Sequence, residues 1–134
     1  MRRIVLGLLL LVFGVAVSVR AADYTKDSLD MVKKGVDDKK ALIIDVREPD
    51  EWKAGHLYLA ISMPLSTLQA GADLKEFGEI LGQQIPKDRV LYVHCASGKR
   101  CLPAADVLKK FGYDARPLKE GYQQLLQAGL PKAK

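Results

Sequence analysis

Short apolar runs alternate with segments of helical periodicity along most of the chain. The runs ALIIDV at 41–46 and VLYVH at 90–94 are typical of strands that are buried on both faces of a sheet. The segments AISMP at 60–64 and DARPL at 114–118 predict two shorter strands, the first of them stopped by Pro64. The pattern therefore predicts four strands between residues 41 and 118.

Apolar residues at helical spacing fill the intervals between these runs. Helices are predicted at 27–37 behind an Asp27-Ser28 cap, at 74–81 closed by Gly82, at 102–111 with Pro103 in the first turn and Gly112 at the end, and at 121–128. The segment EPDEWKAGH at 48–56 predicts a turn with one helical turn. Strands separated by helices predict an α/β domain with a mainly parallel central sheet flanked by helices.

Residues 1–21 have the pattern of a secretory signal peptide. Arg2 and Arg3 precede a 16-residue apolar run at 4–19, and Val19 and Ala21 place small residues at the −3 and −1 positions of a cleavage site. We expect cleavage there, which leaves residues 22–134 as one periplasmic or secreted domain. An uncleaved membrane anchor is the alternative, although the run is shorter than the roughly 20 residues of a spanning helix.

The positive charge of the chain belongs largely to this first segment. The whole sequence has a formal net charge of +5, and removal of Arg2, Arg3 and Arg20 leaves 18 basic against 16 acidic residues, a net charge of +2. The lysine pairs at 33–34, 39–40 and 109–110 lie beside acidic residues or on predicted helix faces. They indicate a solvated surface, and we expect no nucleic-acid partner.

The candidate chemistry lies at the carboxyl end of the strand predicted at 90–94. Cys95 begins a loop that leaves this strand and enters the next helix, where backbone N–H groups converge into an anion site. Such donors stabilise a thiolate and lower a cysteine pKa from about 8.5 to about 3.5–7.5. Ala96, Ser97 and Gly98 let the backbone approach a bound group closely, and Arg100 offers a planar set of donors for an oxyanion.

Three segments carry a resemblance to the rhodanese family. The loop CASGKR at 95–100 resembles the family's six-residue active-site loop, the segment 42–65 is similar to its Asp-Val-Arg-Glu and Gly-His signature, and the segment 118–131 is similar to its C-terminal helix. Together they cover about residues 25–131 in the family's order. With the export signal, the chain resembles the small single-domain periplasmic thiosulfate sulfurtransferases of bacteria.

The resemblance implies a two-step sulfur transfer on Cys95. The thiolate takes the outer sulfur of a small anionic donor such as thiosulfate, holds it as a persulfide, and passes it to cyanide or a thiol. It implies no metal and no organic cofactor, and we expect a monomer. The substrate-binding loop is then Ala96, Ser97, Gly98, Lys99 and Arg100, and the residues expected to support it structurally are Asp45, Arg47 and His56.

Two other functions stay open for the same cysteine. Cysteine phosphatases and arsenate reductases are one alternative, because phosphatases place His-Cys, five residues and Arg in sequence. This chain has His94-Cys95, but its loop is one residue shorter. A non-enzymatic sulfur-carrier module is the other alternative, and it would accept sulfur on Cys95 but pass it to cyanide poorly.

The second cysteine departs from the family pattern, since Cys101 stands where Ser or Thr is usual. Four interpretations stay open: an inert residue at the helix start, a resolving thiol that attacks the Cys95 persulfide or closes a redox disulfide, a permanent disulfide with Cys95, or another role. Among the remaining aromatic and histidine residues, His94 is expected to pack rather than to act as a base, Trp52 is expected in the core, and Tyr58 and Tyr122 are candidates for the mouth of the site.

Overall fold

A four-stranded, fully parallel sheet forms the centre of the protein. The computed structural model describes residues 21–134, so the predicted signal peptide, apart from Ala21, lies outside the described residues. The strands are β1 (Ala41–Asp45), β2 (Ala60–Ser62), β3 (Val90–His94) and β4 (Asp114–Pro117), in the spatial order β2-β1-β3-β4. All three pairings are parallel. The four predicted strands and the predicted α/β class are confirmed.

Within residues 21–134, six helices connect and cover these strands. They are α1 (Leu29–Asp37), α2 (Pro49–Ala54), α3 (Leu65–Gly71), α4 (Lys75–Gln84), α5 (Cys101–Lys110) and α6 (Tyr122–Gln127). The α1 helix begins where the sequence predicts, because the Ser28 side chain accepts the Met31 N–H at 3.2 Å. Gly112 follows α5 at φ +89°, the left-handed conformation expected of a residue that ends a helix.

Two apolar layers cover the two faces of the sheet. Ile44 and Leu91 point into a cluster built with α3, α4 and α5, whereas Ile43 and Tyr92 point into a second cluster built with α1 and α6. This alternation follows from the two-residue period of a strand. Since β1 and β3 are covered on both sides, they carry the continuous apolar runs that made them visible in the sequence.

Three local predictions are corrected by the structure. The helix predicted to close at Gly82 continues to Gln84 and stops at the extended Ile85, which precedes Pro86. A Cβ atom at Gly82 would meet nothing within 4 Å, so this glycine neither packs against a neighbour nor ends the helix. The α3 helix, at 65–71, was not predicted. Trp52 is only partly buried and stacks on His56 with ring centroids 3.6 Å apart, so it is not a core residue.

No helix within residues 21–134 has the length and apolar content needed to cross a membrane.

Candidate active site

The Cys95 loop lies where β3 ends and is fixed by two close backbone approaches. Gly98 adopts φ +81°, and a Cβ atom there would lie 2.5 Å from the Lys119 carbonyl oxygen. A Cβ atom at Gly121 would lie 1.8 Å from the Ala96 carbonyl oxygen. Glycine is therefore required at both positions, because the chain after β4 packs directly on the loop. The loop geometry thus depends on contacts with the segment between β4 and α6.

The Cys95 sulfur is fully buried and surrounded by hydrogen-bond donors. The Gly98 N–H donates to Cys95 Sγ at 3.1 Å. A hydrogen bond from the Cys101 thiol, followed by bonds from the backbone N–H groups of Cys101, Ser97 and Gly98, lowers the pKa of Cys95 to about 5, although burial acts in the opposite direction. The sulfur is consequently a thiolate at neutral pH, as the loop position predicts.

Cys101 is the neutral partner of this thiolate. Both cysteines are free and buried in the structure. The Cys101 Sγ also lies 3.2 Å from the carbonyl oxygens of Gly98 and Leu118, which compete with the Cys95 thiolate for its single proton. Its hydrogen bond to Cys95, together with burial, raises the pKa of the Cys101 thiol. In this state Cys101 acts as a hydrogen-bond donor, and a redox role for it stays a prediction.

The two basic residues of the loop differ in their surroundings. Lys99 is exposed. Arg100 donates through Nη1 and Nη2 to the two carboxylate oxygens of Glu51 on α2, at 2.5 and 2.8 Å. The pair holds the pKa of Glu51 at about 2. The guanidinium donors of Arg100, which the sequence assigns to an oxyanion, thus bind the Glu51 carboxylate here. Glu51 was not predicted as a partner of Arg100, because the two residues are 49 positions apart and no local pattern links them.

Asp45 and Arg47 form the buried polar network that the resemblance implies. The Arg47 Nη2 atom lies 2.7 Å from Asp45 Oδ2 and 2.8 Å from the Gly55 carbonyl oxygen. The guanidinium also lies over the Tyr122 ring, 4.1 Å from its centroid. Tyr122 in turn donates its backbone N–H to the Cys95 carbonyl at 2.9 Å. The buried Asp45–Arg47 pair thus lies next to the loop, with Tyr122 as the link between them, and its supporting role stays a prediction.

The two histidines contact backbone carbonyl oxygens rather than the reactive sulfur. His94 is fully buried; its Nδ1 lies 3.3 Å from the Cys95 carbonyl oxygen and its Nε2 lies 3.6 Å from Asp45 Oδ2. Burial lowers the pKa of His94, so the imidazole is neutral at pH 7. His56 Nδ1 contacts the Trp52 carbonyl oxygen at 2.9 Å and ties down the turn after α2. These contacts agree with the packing role expected for His94 and the structural role expected for His56.

The two tyrosines proposed for the mouth of the site are separated by their environments. Tyr122 is buried under Arg47, whereas Tyr58 is 65% exposed and lines a surface cavity with His56, Pro131 and Lys132.

Within residues 21–134, no group of three or more His, Cys, Asp or Glu side chains is arranged to hold a metal ion.

Comparison with known proteins identifies the family. The profile of the family described as "Rhodanese-like domain" matches residues 28–128. This match covers the sheet, all six helices and the Cys95 loop. The chain belongs to the rhodanese-like domain family, and the predicted resemblance is confirmed.

Individual relatives agree with this assignment. The chain is 36% identical over 88 residues to a Schizosaccharomyces pombe protein named "Putative thiosulfate sulfurtransferase, mitochondrial". The aligned region covers 63% of this chain and 61% of that protein. It is 32% identical over 94 residues to the mitochondrial thiosulfate sulfurtransferase RDL2 of Saccharomyces cerevisiae, which covers 68% of this chain and 62% of that one. The chain therefore spans about three fifths of the length of these relatives.

The fold is also that of solved single-domain sulfurtransferases. The structure of the human single-domain sulfurtransferase TSTD1 matches with a TM-score of 0.62 at 26% identity, over 75% of this chain and 94% of that chain. The crystal structure of Saccharomyces cerevisiae RDL2 matches with a TM-score of 0.59 at 26% identity, over 79% and 95% of the two chains. The homologues thus support sulfur transfer in general, while the donor, the acceptor and the cell compartment are matters for proposal.

Proposed function

We propose that this protein transfers sulfane sulfur from thiosulfate, or a donor of the same kind, to cyanide or a thiol by way of a Cys95 persulfide. The observation that carries the proposal is the state of the Cys95 sulfur. It is buried, it accepts the Gly98 N–H at 3.1 Å, and its pKa is about 5. A nucleophile that is already ionised at neutral pH needs no separate general base.

The first half-reaction forms the persulfide. The Cys95 thiolate attacks the outer sulfur of thiosulfate, a new S–S bond forms, and the old S–S bond breaks. Sulfite leaves with the electron pair of the broken bond. The negative charge of the persulfide lies on its outer sulfur, one S–S bond beyond Cys95 Sγ, and the loop N–H groups are the nearby donors that would stabilise it.

The second half-reaction restores the thiolate. The cyanide carbon, or the sulfur of an acceptor thiolate, attacks the outer sulfur, and the Cys95 thiolate leaves with the electron pair. The products are thiocyanate or a persulfide of the acceptor. No external oxidant, reductant or cofactor enters this balance. Exposed Lys99 supports the attraction of an anionic donor, and Arg100 takes part to the extent that the donor competes with Glu51 for its guanidinium.

Export of the chain is a separate part of the proposal. The charged start, the apolar run at 4–19 and the small residues before Ala22 support a signal peptide at 1–21 and a periplasmic or secreted location for residues 22–134. Fractionation of cells that express the full chain tests this part. Recovery of the unprocessed chain in the cytoplasm would contradict it.

Mass spectrometry of the protein after treatment with thiosulfate tests the sulfur chemistry. We expect a mass gain of one sulfur atom on the peptide that contains Cys95, and its loss on addition of cyanide with release of thiocyanate. A gain that cyanide does not remove would favour the sulfur-carrier alternative. Absence of the gain, with hydrolysis of an aryl phosphate or reduction of arsenate, would favour the cysteine phosphatase or arsenate reductase alternative.

A further inference from the structure

The segment 22–25, which precedes the family match, is anchored at its start on α5. Ala22 is 7% exposed and belongs to the same apolar cluster as Cys95 and Cys101. Its backbone nitrogen lies 2.6 Å from Asp106 Oδ1. This nitrogen is also the atom that the predicted cleavage after Ala21 would turn into a chain terminus.

The same segment reaches the sulfur loop two residues later. The Tyr24 hydroxyl donates to the Gly98 carbonyl at 2.5 Å, and the Thr25 N–H donates to the Pro117 carbonyl of β4 at 2.8 Å. Gly98 is the residue whose N–H donates to Cys95 Sγ. A short stretch of chain therefore connects Asp106 on α5 with the backbone that surrounds the reactive sulfur.

We propose that cleavage after Ala21 converts the Ala22 nitrogen into an α-ammonium group, which pairs with Asp106 and secures segment 22–25 against the Cys95 loop. This inference rests on the proposed export of the chain. Before cleavage, the Ala22 nitrogen is a neutral amide that donates one hydrogen bond. After cleavage the same contact joins two full charges, and hydrogen bonds between charged groups are stronger than neutral ones.

The surroundings leave Asp106 available for this partner. The α3 helix, which packs on α5, carries no charged residue. In the described part of the chain, three of the basic residues on the elements around Asp106 have partners of their own: Lys110 with Asp73, Arg100 with Glu51, and Arg116 of β4 with Asp27 and Asp114. The remaining charged or titratable groups nearby along these elements are Asp23, Tyr24, Lys99 and Lys109 on the segment, the loop and α5, and Tyr92 and His94 on β3.

The pair has a pH dependence of definite sign. An α-amino group in an unfolded chain has a pKa of about 7.7–8.0, and a carboxylate partner raises that pKa in the folded state. The stabilisation is therefore fully present below about pH 7.7 and is lost as the pH rises through the raised folded pKa. Lysine and tyrosine side chains also begin to titrate near pH 10, so the part of an alkaline loss that belongs to the terminus is the difference between chains with and without it.

Two chains that differ by one residue test the proposal. One begins at Ala22 and the other at Ala21, each made with an initiator methionine that is removed, and intact mass verifies both. Asp106→Asn is placed in each. At pH 6.5 we expect the substitution to lower the melting temperature by about 3 °C more in the chain that begins at Ala22, and we expect this excess to vanish near pH 10. An equal loss in both chains at pH 6.5 would overturn the proposal.

Two further measurements complete the test. The intact mass of the exported protein should begin at Ala22, and any other processed start would overturn the proposal. In the chain that begins at Ala22, Tyr24→Phe should shift the pH profile of Cys95 alkylation upward, because the Gly98 carbonyl loses one donor and then competes more strongly with the Cys95 thiolate for the Cys101 proton. An unchanged profile would remove the link to the loop. None of these measurements uses a sulfur donor, so their failure is distinguishable from failure of sulfur transfer.

Discussion

Two neighbouring strand ends of this protein each carry a buried anion, and they stabilise it in different ways. Asp45 is the last residue of β1 and pairs in register with His94, the last residue of β3. Cys95 follows His94 directly in the sequence. The Asp45 carboxylate is neutralised by a full positive charge, the Arg47 guanidinium at 2.7 Å. The Cys95 thiolate is stabilised by a neutral thiol and by backbone N–H groups.

This difference in how the two anions are stabilised explains why the end of β1 supports the structure, whereas the end of β3 is suited to chemistry. A carboxylate held by two parallel hydrogen bonds to an arginine has its lone pairs committed to that partner. Backbone amides and a thiol carry only partial charges, so they stabilise the thiolate without neutralising it by a full opposite charge. The sulfur therefore stays ionised while its electrons remain available to attack a donor.

Substitution of the nucleophile has the largest expected effect on activity. Cys95→Ser should reduce thiosulfate-dependent sulfur transfer by at least about 10³-fold, because a serine hydroxyl is not ionised at neutral pH. The matched control is Cys101→Ser, whose hydroxyl still donates to the Cys95 sulfur and matches the residue usual in the family. A steady-state assay with cyanide measures both. Similar losses in the two variants would contradict a unique role for Cys95.

Breaking the ion pair at the other strand end should have the largest effect on stability. Arg47→Met leaves the Asp45 charge buried and unpaired, which should lower the free energy of unfolding by about 3–5 kcal/mol. Urea unfolding measures this change. The control is Lys34→Met, which breaks the exposed pair with Asp38 and should leave the unfolding midpoint unchanged within error. A tolerated Arg47→Met would show that the network does not support the fold.

The close approach at Gly121 provides a test of loop shape. Gly121→Ala places a Cβ atom against the Ala96 carbonyl, so the loop must move, and we expect a loss of about 1–3 kcal/mol in stability together with a clear loss of activity. Gly82→Ala, on an open face of α4, should instead stabilise the protein by about 0.5–1 kcal/mol. Thermal unfolding and the sulfur-transfer assay compare the two, and equal behaviour would argue against the packing described here.

Release of Arg100 should have the smallest effect of this series. Glu51→Gln removes the charge that occupies the guanidinium, so we expect the KM for thiosulfate to fall by roughly threefold with little change in kcat. Because the pair is about one-third exposed, its loss should change stability little. An increase in KM would indicate that Glu51 positions Arg100 for the donor rather than competing with the donor.

The sequence allowed prediction of those parts of this molecule that local patterns determine. The strands Ala41–Asp45 and Val90–His94 are continuous apolar runs because both of their faces are buried, and Cys95 is visible because it follows one of them. The α3 helix was missed because its seven residues are too few for a clear period. The end of α4 was misplaced because Gly82 is exposed in a helix that tolerates it.

Contacts between distant residues could not be predicted in the same way. The Arg100–Glu51 pair joins residues 49 apart, and the Tyr24–Gly98 contact joins residues 74 apart. Neither has a local sequence signal, since each depends on how α2 and the segment before α1 lie over the loop. Asp45 and Arg47 were predicted to support the loop only because the family resemblance supplied their roles.

The most direct test of whether Cys95 is held as a thiolate at neutral pH is the pH dependence of its alkylation. The native protein is treated with iodoacetamide between pH 3.5 and 9.5, and the label on each cysteine is quantified by mass spectrometry. We expect the rate for Cys95 to rise through an inflection near pH 5, and Cys101→Ala to shift that inflection upward, because the hydrogen bond from the Cys101 thiol is lost. An inflection near pH 8.5, about the usual pKa of a free thiol, would show that the loop does not ionise this sulfur.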